Sequence, residues 1–232
     1  MKIALIGYGA MGKLIKTLAE NKNHEIAVVI DESDAKFSAA KLAEKLKDID
    51  AVIDFSDAEA VKRNVEACLI AGVPLVEGTT GWNSKKKIVK KLVEEKGGAF
   101  VFGANFSIGV NLFYKIIDYA SQLFTKFEDY EAFIEEQHHS RKRDAPSGTA
   151  LKLKDIVSQH IKKDFSVSAT RAGNIPGTHR VGFDGNADQI LLEHTARSRE
   201  GFAAGAILAA EWIVGKKGFW EFTDVMNEIL RK

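Results

Sequence analysis

Short aliphatic and β-branched runs alternate with longer stretches of helical apolar spacing over the first hundred residues. The runs at 2–6, 25–30, 51–55, 73–77 and 99–102 are apolar at successive rather than alternate positions, which predicts strands buried on both faces of a parallel sheet. Between them, 11–21, 58–71 and 84–95 carry apolar residues three and four apart and are expected to be helices. Ser56-Asp57 and Asn83-Ser84 stand where N-caps would be. Residues 33–47 stay open: Phe37, Leu42 and Leu46 suggest a helix, while Ser38 and Ala39 commit to nothing.

The pattern changes after Gly103. A helix over 109–124 is followed by an alternating strand over 130–136, a loop marked by Pro146 and Gly148, and another helix. Further strands are expected at 167–170, 180–183 and 189–194, then helices over 201–214 and 219–230. Strands that follow one another, rather than alternating with helices, indicate a sheet with antiparallel or mixed pairing. The expected architecture is therefore α/β: a Rossmann-type doubly wound parallel sheet formed by 1–105 and 206–232, plus a second α+β domain, 106–205, with an open mixed sheet.

Composition narrows the partners. The chain has 232 residues, 45% of them hydrophobic and only 3 of them proline, enough for a sizeable core. Its 33 basic and 32 acidic residues nearly cancel, so no overall field draws it to nucleic acid or an anionic membrane. An anionic small molecule would have to be held by a local cluster. The single cysteine, Cys68, cannot form an intrachain disulfide, which suits a reducing, cytoplasmic setting. The apolar start is too short for a signal sequence, and no apolar run approaches the ~20 residues of a membrane span.

Candidate chemistry begins at Gly7-Tyr8-Gly9-Ala10-Met11-Gly12, a dinucleotide fingerprint lying between a predicted strand and a predicted helix. Glycines there permit a tight turn and let a pyrophosphate approach amides at a helix start, so Gly7, Gly9, Ala10, Met11 and Gly12 are cofactor-binding candidates. Asp31 ends the second strand, where a carboxylate can accept from ribose hydroxyls. With Glu32 and Asp34 following and no arginine adjacent, NADH is expected to be preferred over NADPH. Gly78-Thr79-Thr80-Gly81 and Ala104-Asn105-Phe106-Ser107 follow predicted strands at the edge where ligands bind, and offer groups for the nicotinamide and its ribose. Turns are rich in the same residues, so a structural role is the competing reading.

The most informative stretch runs from Glu135 to Ala150. His138, His139, Arg141, Lys142 and Arg143 crowd a strand end, and Ser147 is a natural N-cap that would leave the Gly148 and Thr149 amides projecting from a helix start. That makes a carboxylate site beside candidate proton donors, against the bland alternative of a solvated charge run. Arg171 to His179 repeats the pattern of cations on a glycine-bearing loop. No metal site is expected, because adjacent His138 and His139 would point apart on an extended chain and no cysteine or carboxylate falls at ligand spacing.

The run His-His-x-x-Lys-x-Asp-Ala-Pro-Ser-Gly-Thr-Ala at 138–150 resembles the signature of the 4-hydroxy-tetrahydrodipicolinate reductase family. The resemblance extends to the N-terminal fingerprint, Gly78-Thr79-Thr80, Ala104 to Ser107, Arg171 to His179 and His194 to Arg199. It implies reduction of the dehydrated form of 4-hydroxy-tetrahydrodipicolinate by NADH or NADPH, in lysine and diaminopimelate biosynthesis, by a homotetramer built through the second domain. Carried over by motif position, His138 would be the catalytic proton donor or acceptor and Lys142 a proton donor. His139, Gly148 and Thr149 would contact the dicarboxylate substrate. Two departures bear on the cofactor: the chain is compact between Asp31 and Asp54, and Glu32 stands where an arginine often follows the acidic residue. The rival readings are a catalytically silent dinucleotide sensor and a related two-domain amino-acid dehydrogenase; the latter should lack the His-His-x-x-Lys and Ser-Gly-Thr arrangement.

Overall fold

A computed structural model describes residues 1–231. The chain divides into two compact units, Met1–Ile108 together with the segment from Glu200 onward, and Gly109–Arg199.

In the first unit the apolar runs form β1 (Lys2–Ile6), β2 (Glu25–Ile30), β3 (Ala51–Asp54), β4 (Leu75–Glu77) and β5 (Ala99–Phe102). They interleave with α1 (Ala10–Asn21), α2 (Ala39–Lys45), α3 (Val61–Ala71) and α4 (Lys86–Glu95). The strands pair in parallel in the order β10-β5-β4-β3-β1-β2, where β10 is Gly218–Glu221. The chain leaves β1 for β2 on one side and reaches β3 on the other, so a switch point opens at the carboxyl ends of β1 and β3. One face packs Ala4, Ile6, Val52, Leu75 and Phe100 against Leu42 of α2, Val61, Val65 and Cys68 of α3 and Val89 and Val93 of α4. Each such aliphatic or aromatic side chain contributes roughly 1.5–3 kcal/mol by leaving water.

The 33–47 segment resolves into a 3₁₀ turn at Glu32–Asp34 and then α2, capped by Ser38 Oγ accepting from the Lys41 amide. Two expected caps fail. Helix α3 starts after Ala60 and α4 after Lys85, neither with a side-chain cap, because Asp57 is spent on a preceding turn with the Glu59 amide and Asn83 opens a 3₁₀ turn. The C-terminal stretch expected as a helix over 219–230 begins instead as β10 and continues as α8 (Phe222–Arg231). Phe219 stacks on Phe100 with centroids 5.1 Å apart, so aromatic burial at a sheet edge overrides helical spacing.

The second unit holds α5 (Ile108–Phe124, from Gly109 on), β6 (Glu131–His138), α6 (Gly148–His160), β7 (Ser166–Arg171), β8 (Thr178–Asp184) and β9 (Gln189–Thr195). The sheet order is β7-β6-β8-β9, with β6 parallel to β7 and antiparallel to β8, a mixed sheet. One face is covered by α5 and α6 through Phe113, Ile117, Leu153 and Val157 packing on Ile134, Val181 and Phe183. The units part at 108/109 and 199/200 rather than 105/106 and 205/206. The cause is α7 (Glu200–Ile213), which belongs whole to the first unit: a Cβ at Gly205 would lie 1.8 Å from the Phe106 carbonyl oxygen.

Candidate functional site

Backbone geometry gives the three fingerprint glycines separate tasks. Gly7 follows β1 with φ +87°, and a Cβ on it would lie 2.3 Å from the Phe55 carbonyl oxygen, so the loops after β1 and β3 touch only because no side chain intervenes. A Cβ at Gly12 would come within 2.2 Å of the Gly7 carbonyl oxygen, which ties the first turn of α1 to that loop. At Gly9 nothing lies within 4 Å of where a Cβ would be. Gly9 and Ala10 are exposed at the start of α1 and Met11 is half-buried, which leaves backbone open where a pyrophosphate would approach. The residues present suit a dinucleotide.

Around this turn, Asp31 Oδ1 accepts from the amide and hydroxyl of Ser33 at 2.8 and 2.7 Å, and those bonds, the hydroxyl's first, hold its carboxyl below the usual range. Asp34 does not add an exposed charge beside it: it is buried and paired with Lys45. Arg63 of α3 donates to the Ala35 carbonyl, so a guanidinium that adjacency in sequence does not reveal packs on this segment. In the next loop, Gly78 fits under the Phe55 ring, Thr79 Oγ1 accepts from the Ser56 amide, and Thr80 is exposed. After β5, Ala104 is exposed, Asn105 Oδ1 accepts from the Ser107 amide at 2.8 Å, and Phe106 packs on Phe222. Thr79, Phe106 and Ser107 are buried, and Phe106 shapes the loop from below.

In the second unit a charged cluster forms through strand register. Ala132, Ile134 and Glu136 face inward along β6, and Glu136 pairs with His179 on β8 while His138 lies two residues on, on the same face. His138 Nε2 and His179 Nε2 are 3.4 Å apart, and each is 3.5 Å from Glu136 Oε2. The other carboxylate oxygen of Glu136 accepts from the Ser147 amide at 2.9 Å and from Arg171 at 2.6 Å. Ser147 Oγ accepts from the Ala150 amide as the N-cap of α6 and sits 3.1 Å from His179 Nε2. Gly148 and Thr149 are the first two residues of that helix, and Thr149 also hydrogen bonds with Tyr114. Lys142 Nζ is held by Asp144 at 2.8 Å, a bond that keeps the Asp144 carboxyl low. His139 is half-buried, and its Nδ1 is buried without a hydrogen-bond partner.

Electrostatics follows from burial. Desolvation, then the neighbouring His138, presses His179 down to about 4, so it is neutral at physiological pH. Burial also lowers His138, against the pull of the Glu136 carboxylate. For Glu136, burial works upward but is outweighed by the Ser147 hydrogen bonds and Arg171, leaving an anion. Glu136 is a site member that spacing in the sequence does not single out; the available signal is an acid on the inward stripe of a strand, and His179, read as the end of a second cationic loop, is brought to it by strand pairing. Glu136, His138 and His179 bring ligand atoms within 4.8 Å of one another, a set able to hold a metal ion that the adjacent histidines give no hint of. With Arg171 on the carboxylate and Lys142 beside it, however, the surroundings favour an anion over a cation.

The family "Dihydrodipicolinate reductase, N-terminus" matches residues 1–106, and "Dihydrodipicolinate reductase, C-terminus" matches 109–226. A 4-hydroxy-tetrahydrodipicolinate reductase of Christiangramia forsetii is 35% identical over the whole of both chains. That of Archaeoglobus fulgidus is 34% identical, covering 98% of this chain and 100% of its own. Among solved structures, a dipicolinate-bound dihydrodipicolinate reductase from Paenisporosarcina sp. TG-14 superimposes with a TM-score of 0.80 at 21% identity, over 97% of this chain and 99% of that one.

Proposed function

The chain belongs to the dihydrodipicolinate reductase family and is an NAD(P)H-dependent reductase of the dehydrated form of 4-hydroxy-tetrahydrodipicolinate, and on that premise we propose how its residues carry the reaction. The product is tetrahydrodipicolinate, in lysine and diaminopimelate biosynthesis. When bound, the nicotinamide supplies a hydride to a ring carbon conjugated with the imine. His138 is the proton donor to the electron-rich ring that results, and Glu136 holds its imidazolium form in place. Lys142 leaves Asp144 to act as a second donor and to offset developing negative charge; one such donor is typically worth ~10²–10⁴-fold. A substrate carboxylate is held by the Gly148 and Thr149 amides at the start of α6, with His139 beside it.

The observation that carries this reading is the register of β6 on β8, which sets His138 against Glu136 and His179 next to the capped start of α6. The test is a coupled assay with the pathway's synthase, following NADH loss. His138→Ala and Lys142→Ala should each lower kcat at least about a hundredfold while NADH affinity changes less than about threefold. A silent dinucleotide sensor would bind NADH and show no turnover even as wild type. Near wild-type kcat in either variant refutes the assignment.

For the cofactor, Gly7, Gly9, Ala10, Met11 and Gly12 receive the pyrophosphate, Asp31 the adenosine ribose, and Gly78 to Thr80 with Ala104 to Ser107 the nicotinamide end. NADH is preferred, because the free oxygen of Asp31 suits ribose hydroxyls and repels a 2′-phosphate. Assembly is a homotetramer through the face of the second sheet that α5 and α6 leave open. Phe133 lies across Gly182 there, next to Leu191, which is 46% exposed, and Glu135, Arg180 and Glu193 form an ion-paired row beside them. Apolar residues bordered by paired charges suit a second copy of the same face. No helix among the described residues is long and apolar enough to cross a membrane, Cys68 is a buried free thiol, and the cytoplasm is the proposed location.

A further inference from the structure

A second buried acidic feature lies in the first unit. Asp54 and Glu77 are direct register partners at the carboxyl ends of β3 and β4, and both are fully buried. Their side chains continue the inward stripes of Val52 and Leu75, so they lie side by side under α3. Asp54 Oδ2 accepts from the Asn64 amide group at 2.7 Å, and Glu77 Oε1 accepts from the Thr79 amide at 2.8 Å. The remaining oxygens, Asp54 Oδ1 and Glu77 Oε2, are buried without a hydrogen-bond partner.

The surroundings exclude a compensating cation. Facing the pair are Asn64 and Cys68 of α3, Ser56 beyond β3 and Thr79 beyond β4, while Ile6 and Phe102 flank it in register on the outer strands. Among the described residues no lysine, arginine or histidine forms an ion pair with either acid. Two bare carboxylates in contact in such a place would be strongly unfavourable, whereas a carboxylic acid donating to a carboxylate satisfies both orphan oxygens at once. We propose that Asp54 and Glu77 share one proton, and that this acid pair is a positioning device which fixes the Gly78–Thr80 loop for the nicotinamide end of the cofactor.

The link to the loop is direct. Glu77 Oε1 anchors the Thr79 amide, Thr79 Oγ1 takes the Ser56 amide, and the Thr79 carbonyl takes the Trp82 indole at 2.9 Å. Burial, then Asp54, pushes the Glu77 carboxyl well above its ordinary range, and burial raises Asp54 as well. For a carboxyl raised on folding, the native state keeps a proton that the unfolded chain gives up near the ordinary 4.5. Stability is therefore fully present below that pH and declines as pH rises toward the native value.

The cofactor half of the proposal rests on the family reading, and the proton half does not, so the test has two arms. In the first, denaturant unfolding of the whole chain is followed between pH 5 and 8, with infrared detection of a protonated carboxyl. Wild type should show that band at neutral pH, and its unfolding constant should rise about tenfold per pH unit more steeply than that of Glu77→Gln, which reproduces the singly protonated pair without a titrating proton. Equal slopes, or no protonated carboxyl in wild type, overturn proton sharing; Asp54→Asn provides the same comparison should the glutamine variant not fold. In the second arm, NADH affinity is measured directly. Glu77→Gln should bind within about twofold of wild type and Glu77→Val about tenfold more weakly, since only valine releases the Thr79 amide. Unchanged affinity in a folded Glu77→Val overturns the positioning role, and leaves the proton arm and the reductase assay to stand separately.

Discussion

Replacing Glu136 by glutamine isolates the electrostatic part of the proposed proton-donor cluster. The Glu136→Gln side chain would keep an oxygen for the Ser147 amide and Arg171, so the α6 start and the β6 end should hold their shape. What is removed is a negative charge 3.5 Å from His138 Nε2. Two unit charges at about that distance interact by roughly 1 kcal/mol in a water-like medium and roughly 5 kcal/mol at an effective dielectric of ~20. The His138 side chain is 13% exposed and that of Glu136 fully buried, which places the pair between these limits. A loss of about 1.4 to 2.7 kcal/mol corresponds to a tenfold to hundredfold smaller imidazolium fraction when the group is mostly neutral. Burial already depresses His138 and Glu136 is the influence that raises it, so the variant's imidazolium is lost at lower pH than in wild type. Activity that depends on it is present below His138's own value and declines as pH rises through it. The assay is kcat against pH from 5 to 9 under saturating NADH. At pH 8 kcat should be about tenfold to a hundredfold below wild type, and the deficit should shrink steadily as pH falls toward 5. A profile parallel to wild type, or an equal loss at every pH, would refute the idea that Glu136 works by holding a proton on His138. Unfolding free energy should fall by about 1–3 kcal/mol, because Arg171 loses its buried counter-charge.

The fingerprint glycines should separate by experiment. Gly7→Ala meets the Phe55 carbonyl and a positive φ and should cost about 2 kcal/mol or more of stability, read by denaturant unfolding. Gly9→Ala meets nothing, so its stability should match wild type while KM for NADH rises about tenfold, since the added methyl occupies the pyrophosphate approach. For the cofactor, kcat/KM at low salt should favour NADH over NADPH by about tenfold or more, and Asp31→Ala should lower that ratio; a wild-type preference for NADPH would mean that Arg63 or Lys45 reaches the 2′-phosphate.

Much of the first unit is legible in the sequence because a parallel sheet covered on both faces leaves apolar runs with no alternation, and because Gly7, Gly9 and Gly12 occupy a strand-to-helix turn. The errors lie where local signals compete with tertiary ones. Asp57 carries the chemistry of a cap but is one turn early, and helical spacing over 219–230 hides an edge strand whose Phe219 is claimed by Phe100 and Phe102. In the second unit His138, Lys142 and the Ser147 cap are visible because they crowd one stretch. His179 shows only as the end of a second cationic loop, since it reaches the cluster through the pairing of β8 with β6, forty-odd residues away along the chain.

Glu136, Asp54 and Glu77 share a placement that explains why acids are easy to misread here. Each ends an inward stripe: Ala132-Ile134-Glu136 on β6, Val52-Asp54 on β3, Leu75-Glu77 on β4. A charged residue at the end of an apolar run resembles the polar boundary of a strand, and at such boundaries solvation is the ordinary expectation. Period-two alternation says otherwise, because a residue two beyond a buried one points the same way unless the strand has ended. The two sites then diverge according to what faces the acid. Arg171 and two histidines stand over Glu136, which remains an anion able to steady a cationic donor. Opposite Glu77 there is only another acid, and the charge is managed by retaining a proton. The same position on a strand thus yields a counter-ion for a histidine pair in one unit and a proton-sharing clamp in the other, with the neighbouring strand deciding which.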